Sequence, residues 1–239
     1  MKKILITGAG RRIGRELALL FAQHNWEVII HYNKSQQGAL KTQNDILNVG
    51  GKCHIFQADI SNISEIESKF PRAFSEFGVP DVLINNSGIF PPTKTIYEIT
   101  NDDIDKALNI NTKSILFISK EFAKLAKKGS KIINIHSVGS LEIWKNRIDY
   151  NLSKSAALTL TKSLARELAP NISVNAINPG YVNLEEKPDD QTKNNINSIP
   201  MQRYTNIYDI FDAVHFFATC SIYITAQYLN IDGGYHDCR

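Results

Sequence analysis

The chain has 239 residues, 43% hydrophobic and 21% charged, a length and balance that allow one α/β domain with a core large enough to fold alone. Its 27 basic against 24 acidic groups leave a formal charge of +3, too small to make nucleic acid or a membrane surface the main partner. Cys53, Cys220 and Cys238 are far apart, odd in number and without metal spacing, which argues against a disulfide framework and for a reducing compartment.

The first element is the strand "KILIT" at 3–7, whose apolar run stops at Gly8 and is too short for a signal or membrane segment, so a cytoplasmic protein is expected. It runs into Gly8, Gly10 and Gly14, and a helix over 13–24 follows with Ile13, Leu17, Leu20 and Phe21 on one face. Glycines here let the backbone turn tightly against a pyrophosphate, whose charge meets the N–H groups and positive dipole end of the helix. The second strand, "EVIIHY" at 27–32, leads into "HYNKS". An acid that would bind the ribose 2′-hydroxyl of NAD is missing there. Asn33, Lys34, Ser35 and Arg12 instead offer the cations and donors that a 2′-phosphate needs, which favours NADP(H).

A helix over 36–48, the strand "CHIFQA" at 53–58, a helix over 62–77 and the strand "DVLIN" at 81–85 continue the alternation. Then come helical patterns at 102–128, the strand "KIINIH" at 131–136, a helix at 150–169 and the strand "SVNAIN" at 173–178. A helix at 206–219 and the strand "QYLNI" at 227–231 close the chain. Strands without strict alternation, separated by helices, predict a parallel sheet of about seven strands covered on both faces, in one domain spanning 1–239. The polar stretch 183–198 suits a lid over the substrate, reaching to about residue 200.

Tyr150 and Lys154 stand four apart on one helical face, so the ammonium is expected to lower the phenol pKa and ready it to donate a proton. Ser137 follows a strand end, and Asn86 and Asn111 belong to the same crevice beyond the carboxyl ends of the strands. No metal site is expected.

These motifs together resemble the short-chain dehydrogenase/reductase family across nearly the whole chain. They are "TGAGRRIG", "QADI" with Asp59, "NNSG" at 85–88, Asn111, Ser137 thirteen residues before Tyr150, Lys154, "NPG" at 178–180 and "IDGGY". The resemblance implies a Rossmann-type doubly wound fold and hydride transfer from a nicotinamide to a small-molecule substrate. Tyr150 would be the proton donor, Lys154 would lower its pKa and hold the nicotinamide ribose, and Ser137 would hydrogen-bond the substrate oxygen. Asn111 would anchor a water-linked proton path. Asp59 and Ile60 would lie at the adenine, with Asn86, Ser87 and Gly88 along the ribose and Pro179, Gly180 and Val182 completing the cofactor set. Two places depart from the family pattern: Arg12 stands where glycine is usual, and Leu184 where a threonine often contacts the carboxamide.

Arg12 with "IIHYNKS" is similar to the pteridine reductase and dihydromonapterin reductase branch, in which an arginine reaches cofactor and substrate. Phe90 would stack on a pterin, and Tyr181 would line the substrate site. Ser137 and Gly88 depart from that branch, and Ser137 matches carbonyl-reducing members, so a dihydropterin reductase stands beside a 3-oxoacyl thioester, small-carbonyl or sugar reductase. A non-catalytic NADP(H) sensor is a third reading, opposed by the intact Ser137, Tyr150, Lys154 and Asn111. His136 reads as the end of a strand more than as a base. Leu116, Phe122, Leu158, Leu160 and Leu164 divide between core and a subunit face, since family members pair these helices into homodimers and homotetramers.

Overall fold

Successive residues of the first strand face opposite ways, and their burial divides accordingly. Ile4 and Ile6 enter one apolar cluster and Leu5 the other. In this computed structural model, which describes residues 1–184 and 196–238, seven strands are found among the described residues. They are β1 (Lys3–Thr7), β2 (Glu27–Tyr32), β3 (Cys53–Gln57), β4 (Val82–Asn85), β5 (Ser130–Ile135), β6 (Ile172–Pro179) and β7 (Tyr228–Ile231). All pair in parallel, in the order β3-β2-β1-β4-β5-β6-β7.

On one face lie α1 (Arg12–Gln23), α2 (Gln36–Asn48) and α7 (Ile207–Thr219), which bury Leu17, Phe21, Ile46, Ile210 and Phe217. On the other lie α3 (Ile63–Phe77), α5 (Ser114–Leu125) and α6 (Ile148–Leu168), with Phe70, Phe74, Ile118, Phe122 and Leu164. Each such side chain contributes about 1.5–3 kcal/mol by leaving water. Leu116 and Leu160 are not part of this buried set, and Leu116 is exposed.

Because β1 is flanked by β2 and β4, the connections leaving it and β4 cross on opposite faces and open a crevice beyond their carboxyl ends. Both faces are helix-covered and the order reverses at β1, as the alternation in the sequence predicts.

The helical pattern at 102–128 is not one helix. α4 (Asn101–Leu108), closed by a Thr100/Asp103 capping box, passes through a π-turn at Asn109–Lys113 into α5. α5 then ends at Leu125, three residues short of the expected end. The expected lid falls mostly on residues 185–195, outside the described residues. Its described flanks are tied down: Val182 bridges to Thr205, and the Thr205 N–H donates to the Tyr181 carbonyl at 2.9 Å. Among the described residues no helix is long and apolar enough to cross a membrane.

Candidate active site

The turn after β1 is braced from both neighbouring strands. From β4, the N–H groups of Asn86 and Ser87 each donate to Thr7 Oγ1 at 3.0 Å, and Asn86 Nδ2 donates to the Thr7 carbonyl at 2.8 Å. From β2, His31 Nδ1 accepts from the Gly8 N–H at 3.3 Å, so its proton sits on Nε2, which donates to the Ala58 carbonyl at 3.0 Å. Burial pushes the His31 pKa down to about 4.

The turn has no room for side chains. A Cβ on Gly14 would lie 2.5 Å from Asn86 Nδ2 and 2.6 Å from the Gly8 carbonyl oxygen, and one on Gly10 would lie 2.6 Å from Ser35 Oγ. The same crowding presses the Asn33–Lys34–Ser35 segment against the turn, so the residues expected to hold NADP(H) are neighbours. Both α1 and α2 begin without a side-chain cap and without an acidic residue in the first turn, leaving N–H groups and dipole ends open to an anion. This donor set fits the phosphates of a dinucleotide.

Arg12 departs from glycine at a place where glycine would be natural: its φ is 51°, in the left-handed region. Ile13 packs half-buried behind it, and Ile60 is buried behind β3. Asp59 is held ionised despite some burial, chiefly by hydrogen bonds from Ser61 and Asn33 and by the charge of Lys34. The Gly180 N–H donates to Ile231 O at 3.0 Å just beyond Pro179, which places the "NPG" segment along the adjoining strand end.

Tyr150, Lys154 and Ser137 converge. Tyr150 sits in the first turn of α6 and is 6% exposed, Lys154 one turn later is 7% exposed, and the Lys154 Nζ lies 5.8 Å from the phenol ring centre. Ser137 lies close enough to Tyr150 for its side chain to work against the effect of burial on the phenol, while Ser137 Oγ accepts from the Gly139 N–H at 3.1 Å. The expected lowering of the tyrosine pKa is not what this arrangement gives. Burial raises it, opposed by the Ser137 hydrogen bond and the charge of Arg147, and burial also brings Lys154 down to about 8. With its pKa at about 8, the Lys154 ammonium stays mostly protonated at neutral pH, and the groups that oppose burial at the phenol are Ser137 and Arg147.

The Asn111 side chain is taken up by protein partners. Its Oδ1 accepts from Ile89 N–H at 2.8 Å, and its Nδ2 donates to Ile89 O and to Ser153 Oγ, both at 3.0 Å. The π-turn carries it there, where it fixes the backbone beside Gly88. A Cβ on Gly88 would lie 3.2 Å from Asn111 Oδ1 and 3.6 Å from Lys154 Nζ. His136 is buried with Nε2 on Thr161 Oγ1 at 2.8 Å, a place in the core. Tyr181 packs edge-on to Tyr204 and Tyr235.

Trp144, Arg147 and Asn151 carried no local motif, and His31 stood in "HYNKS" without a role of its own. Trp144 lies parallel to the Tyr150 ring, 5.8 Å between centres and 11° between planes, and Phe90 meets Tyr150 edge-on at 4.7 Å. Arg147 covers a face of Phe90, with Cζ 4.0 Å from the ring centre. Asn151 grips the Trp144 backbone, and His31 supports the glycine turn from below. Only Arg147 and Asn151 had a sequence clue, their closeness to Tyr150. Among the described residues no group of three or more His, Cys, Asp or Glu could hold a metal.

Fold and site define a nucleotide-binding α/β protein with a serine–tyrosine–lysine centre at the switch point of its sheet. The chain belongs to the short-chain dehydrogenase/reductase family: residues 8–236 match the family described as enoyl-(acyl carrier protein) reductase. A 3-oxoacyl-(acyl-carrier-protein) reductase of Synechocystis is 30% identical over 235 residues, covering 96% of this chain and 95% of that one. A short-chain dehydrogenase/reductase from Serratia marcescens superposes with a TM-score of 0.91 at 30% identity, covering 98% of this chain and 97% of the other. A short-chain dehydrogenase from Burkholderia cenocepacia, solved in complex with NADP, gives 0.90 at 30% identity with the same coverage.

Proposed function

We propose that the protein is an NADPH-dependent reductase of a small carbonyl compound, with 3-oxoacyl thioesters and related 3-oxo compounds as its substrate class. The observation that carries this is the convergence of Ser137, Tyr150 and Lys154, with Lys154 Nζ 5.8 Å from the phenol ring centre and Ser137 close enough to act on the phenol. Gly8 to Gly14, with Arg12, Lys34 and Ser35, would hold the cofactor, and Asp59 would meet its adenine. When bound, NADPH supplies the hydride to the carbonyl carbon. Ser137 orients the carbonyl oxygen, and Tyr150 passes its proton to that oxygen as the C=O becomes C–OH. Lys154 stabilises the phenolate that remains, and the burial of Tyr150 and Lys154 strengthens each of these interactions.

Relatives at this identity include a 3-oxoacyl reductase and a solved NADP complex, which supports the substrate class and the cofactor. For a dihydropterin the support is thinner, since one face of Phe90, expected to stack on the ring, is covered by Arg147. The exposed Leu116 and Leu125 on α5 and Leu152 on α6 support pairing of two copies along these helices, which sedimentation velocity reads directly.

The test follows NADPH absorbance with an acetoacetyl thioester, ethyl acetoacetate and dihydrobiopterin, using the wild type and Tyr150→Phe. Carbonyl turnover lost by roughly 10²–10⁴-fold in the variant, with NADPH binding retained, is expected. Turnover of the dihydropterin alone, or a fully active variant, would overturn the proposal.

A further inference from the structure

Two segments remote in sequence are joined into one wall above Tyr150. The Lys94 N–H donates to the Asn146 carbonyl at 3.1 Å, and Arg147 Nη1 donates to the Pro91 carbonyl. Arg147 itself lies over Phe90 at 4.0 Å, and Phe90 meets the Tyr150 ring edge-on at 4.7 Å, so guanidinium, phenyl and phenol are in continuous contact. The charge of Arg147 reaches the phenol, where it opposes the effect of burial. Among the described residues Arg15 and Arg203 have carboxylate partners at 2.5–2.7 Å, whereas Arg147 has none.

A guanidinium offers five N–H donors, and the Pro91 carbonyl occupies Nη1 alone. Phe90 desolvates one face of the group and the carbonyl fixes its orientation, so a planar fork stands preorganised at the mouth of the site. We propose that Arg147 is the substrate-anion clamp of this site: it binds a carboxylate or phosphate carried by the carbonyl substrate while Tyr150 serves the carbonyl oxygen. The assignment rests on the reductase reading above and narrows it to substrates bearing a negative charge near the reacting carbonyl. Trp144 packs along Tyr150 and edge-on to Phe90, which leaves the guanidinium as the charged edge of a three-ring aromatic cluster.

The experiment compares matched pairs, acetoacetate with ethyl acetoacetate and dihydroxyacetone phosphate with dihydroxyacetone, in the wild type and in Arg147→Gln. The readout is the ratio of kcat/KM for the anionic member to that for the neutral one, which a lesion that merely loosens the site would not move. The wild type is expected to favour at least one anionic member tenfold or more, and the ratio to fall at least tenfold in the variant. The pair that responds tells carboxylate from phosphate. Equal use of both members by the wild type, or a ratio that survives Arg147→Gln, would overturn the clamp. If no carbonyl is reduced, the reductase reading fails by itself, and the clamp is judged by binding. In a Trp26→Phe background, Trp144 fluorescence of the NADPH complex is titrated with acetoacetate and with inorganic phosphate. A saturable change abolished by Arg147→Gln supports the clamp, and no change with either anion refutes it.

Discussion

Asn151 holds Trp144 by both edges of its peptide: its Oδ1 accepts from the Trp144 N–H at 3.3 Å and its Nδ2 donates to the Trp144 carbonyl at 2.9 Å. Asn151 lies one residue after Tyr150 on α6, so the helix that carries the proton donor also places the indole that covers it.

Replacing Asn151 by Ala therefore releases the loop at 144. Loss of both hydrogen bonds from this buried side chain is expected to cost about 1–3 kcal/mol, read as a lower urea midpoint with unchanged slope. KM should rise more than kcat falls, because Trp144 shapes the pocket without touching the proton. A kcat loss with KM unchanged would contradict this role.

Arg12→Gly separates strain from function. The left-handed φ of 51° costs an arginine about 1–2 kcal/mol, offset in part by the greater unfolded-state freedom of glycine. The variant is expected to be at least as stable as the wild type by thermal melting, yet to bind NADPH at least tenfold more weakly by isothermal titration. Weaker binding accompanied by a lower Tm would mean that Arg12 serves the fold.

His31 makes stability depend on pH above the ordinary carboxylate range. Its pKa in the folded chain is about 4 against 6.5 for the free side chain, so the unfolded chain takes up the proton first as pH falls. Stability is thus complete above pH 6.5 and is lost progressively down to about pH 4, by at most about 3 kcal/mol from this one group. His136, also held low by burial, acts in the same direction. Protonating His31 Nδ1 would set an N–H against the Gly8 N–H, so the folded chain's NADPH affinity should decline only as the pH approaches about 4. Denaturant melts at several pH values should show a shallower slope for His31→Gln, and an identical slope would remove His31 from the account.

Lys34→Asp tests the cofactor preference. Lys34 is exposed beside Ser35 and contributes its charge to Asp59, so the reversal places a carboxylate where a 2′-phosphate would sit. NADPH affinity should fall tenfold or more, about 1.4 kcal/mol, with little loss for NADH. Equal losses for the two cofactors would refute the selection.

The sheet was legible because a strand buried on both faces must be apolar almost throughout, as in the Leu83–Ile84 and Ile132–Ile133 pairs that meet across β4 and β5. Ser137, Tyr150 and Lys154 were expected from the family's spacing, and the structure brings the three side chains together. The break at Asn109–Lys113 was hidden, since a π-turn carries no glycine or proline to mark it and the apolar positions run on. Trp144 and Arg147 were hidden for another reason. They act through contacts with Phe90 and Pro91, more than fifty residues away in the chain, and nothing near them in sequence shows that pairing. The tyrosine pKa was misjudged because helical spacing gives the distance to a charge and says nothing of the water removed around both groups.

The π-turn also sets a rule for how this stretch can vary. An ordinary α-helix would put each residue after Lys113 about 100° further round the axis for every residue removed or added. The π-turn closes i→i+5 and so already absorbs one extra residue: adding another between Asn109 and Lys113 would swing Ile118 and Phe122 out of the core, whereas deleting one would let the turn close as α and cost chiefly the Asn111 bonds to Ile89. Insertion in this short segment is therefore opposed by the core, and deletion by Asn111 and the bonds it makes.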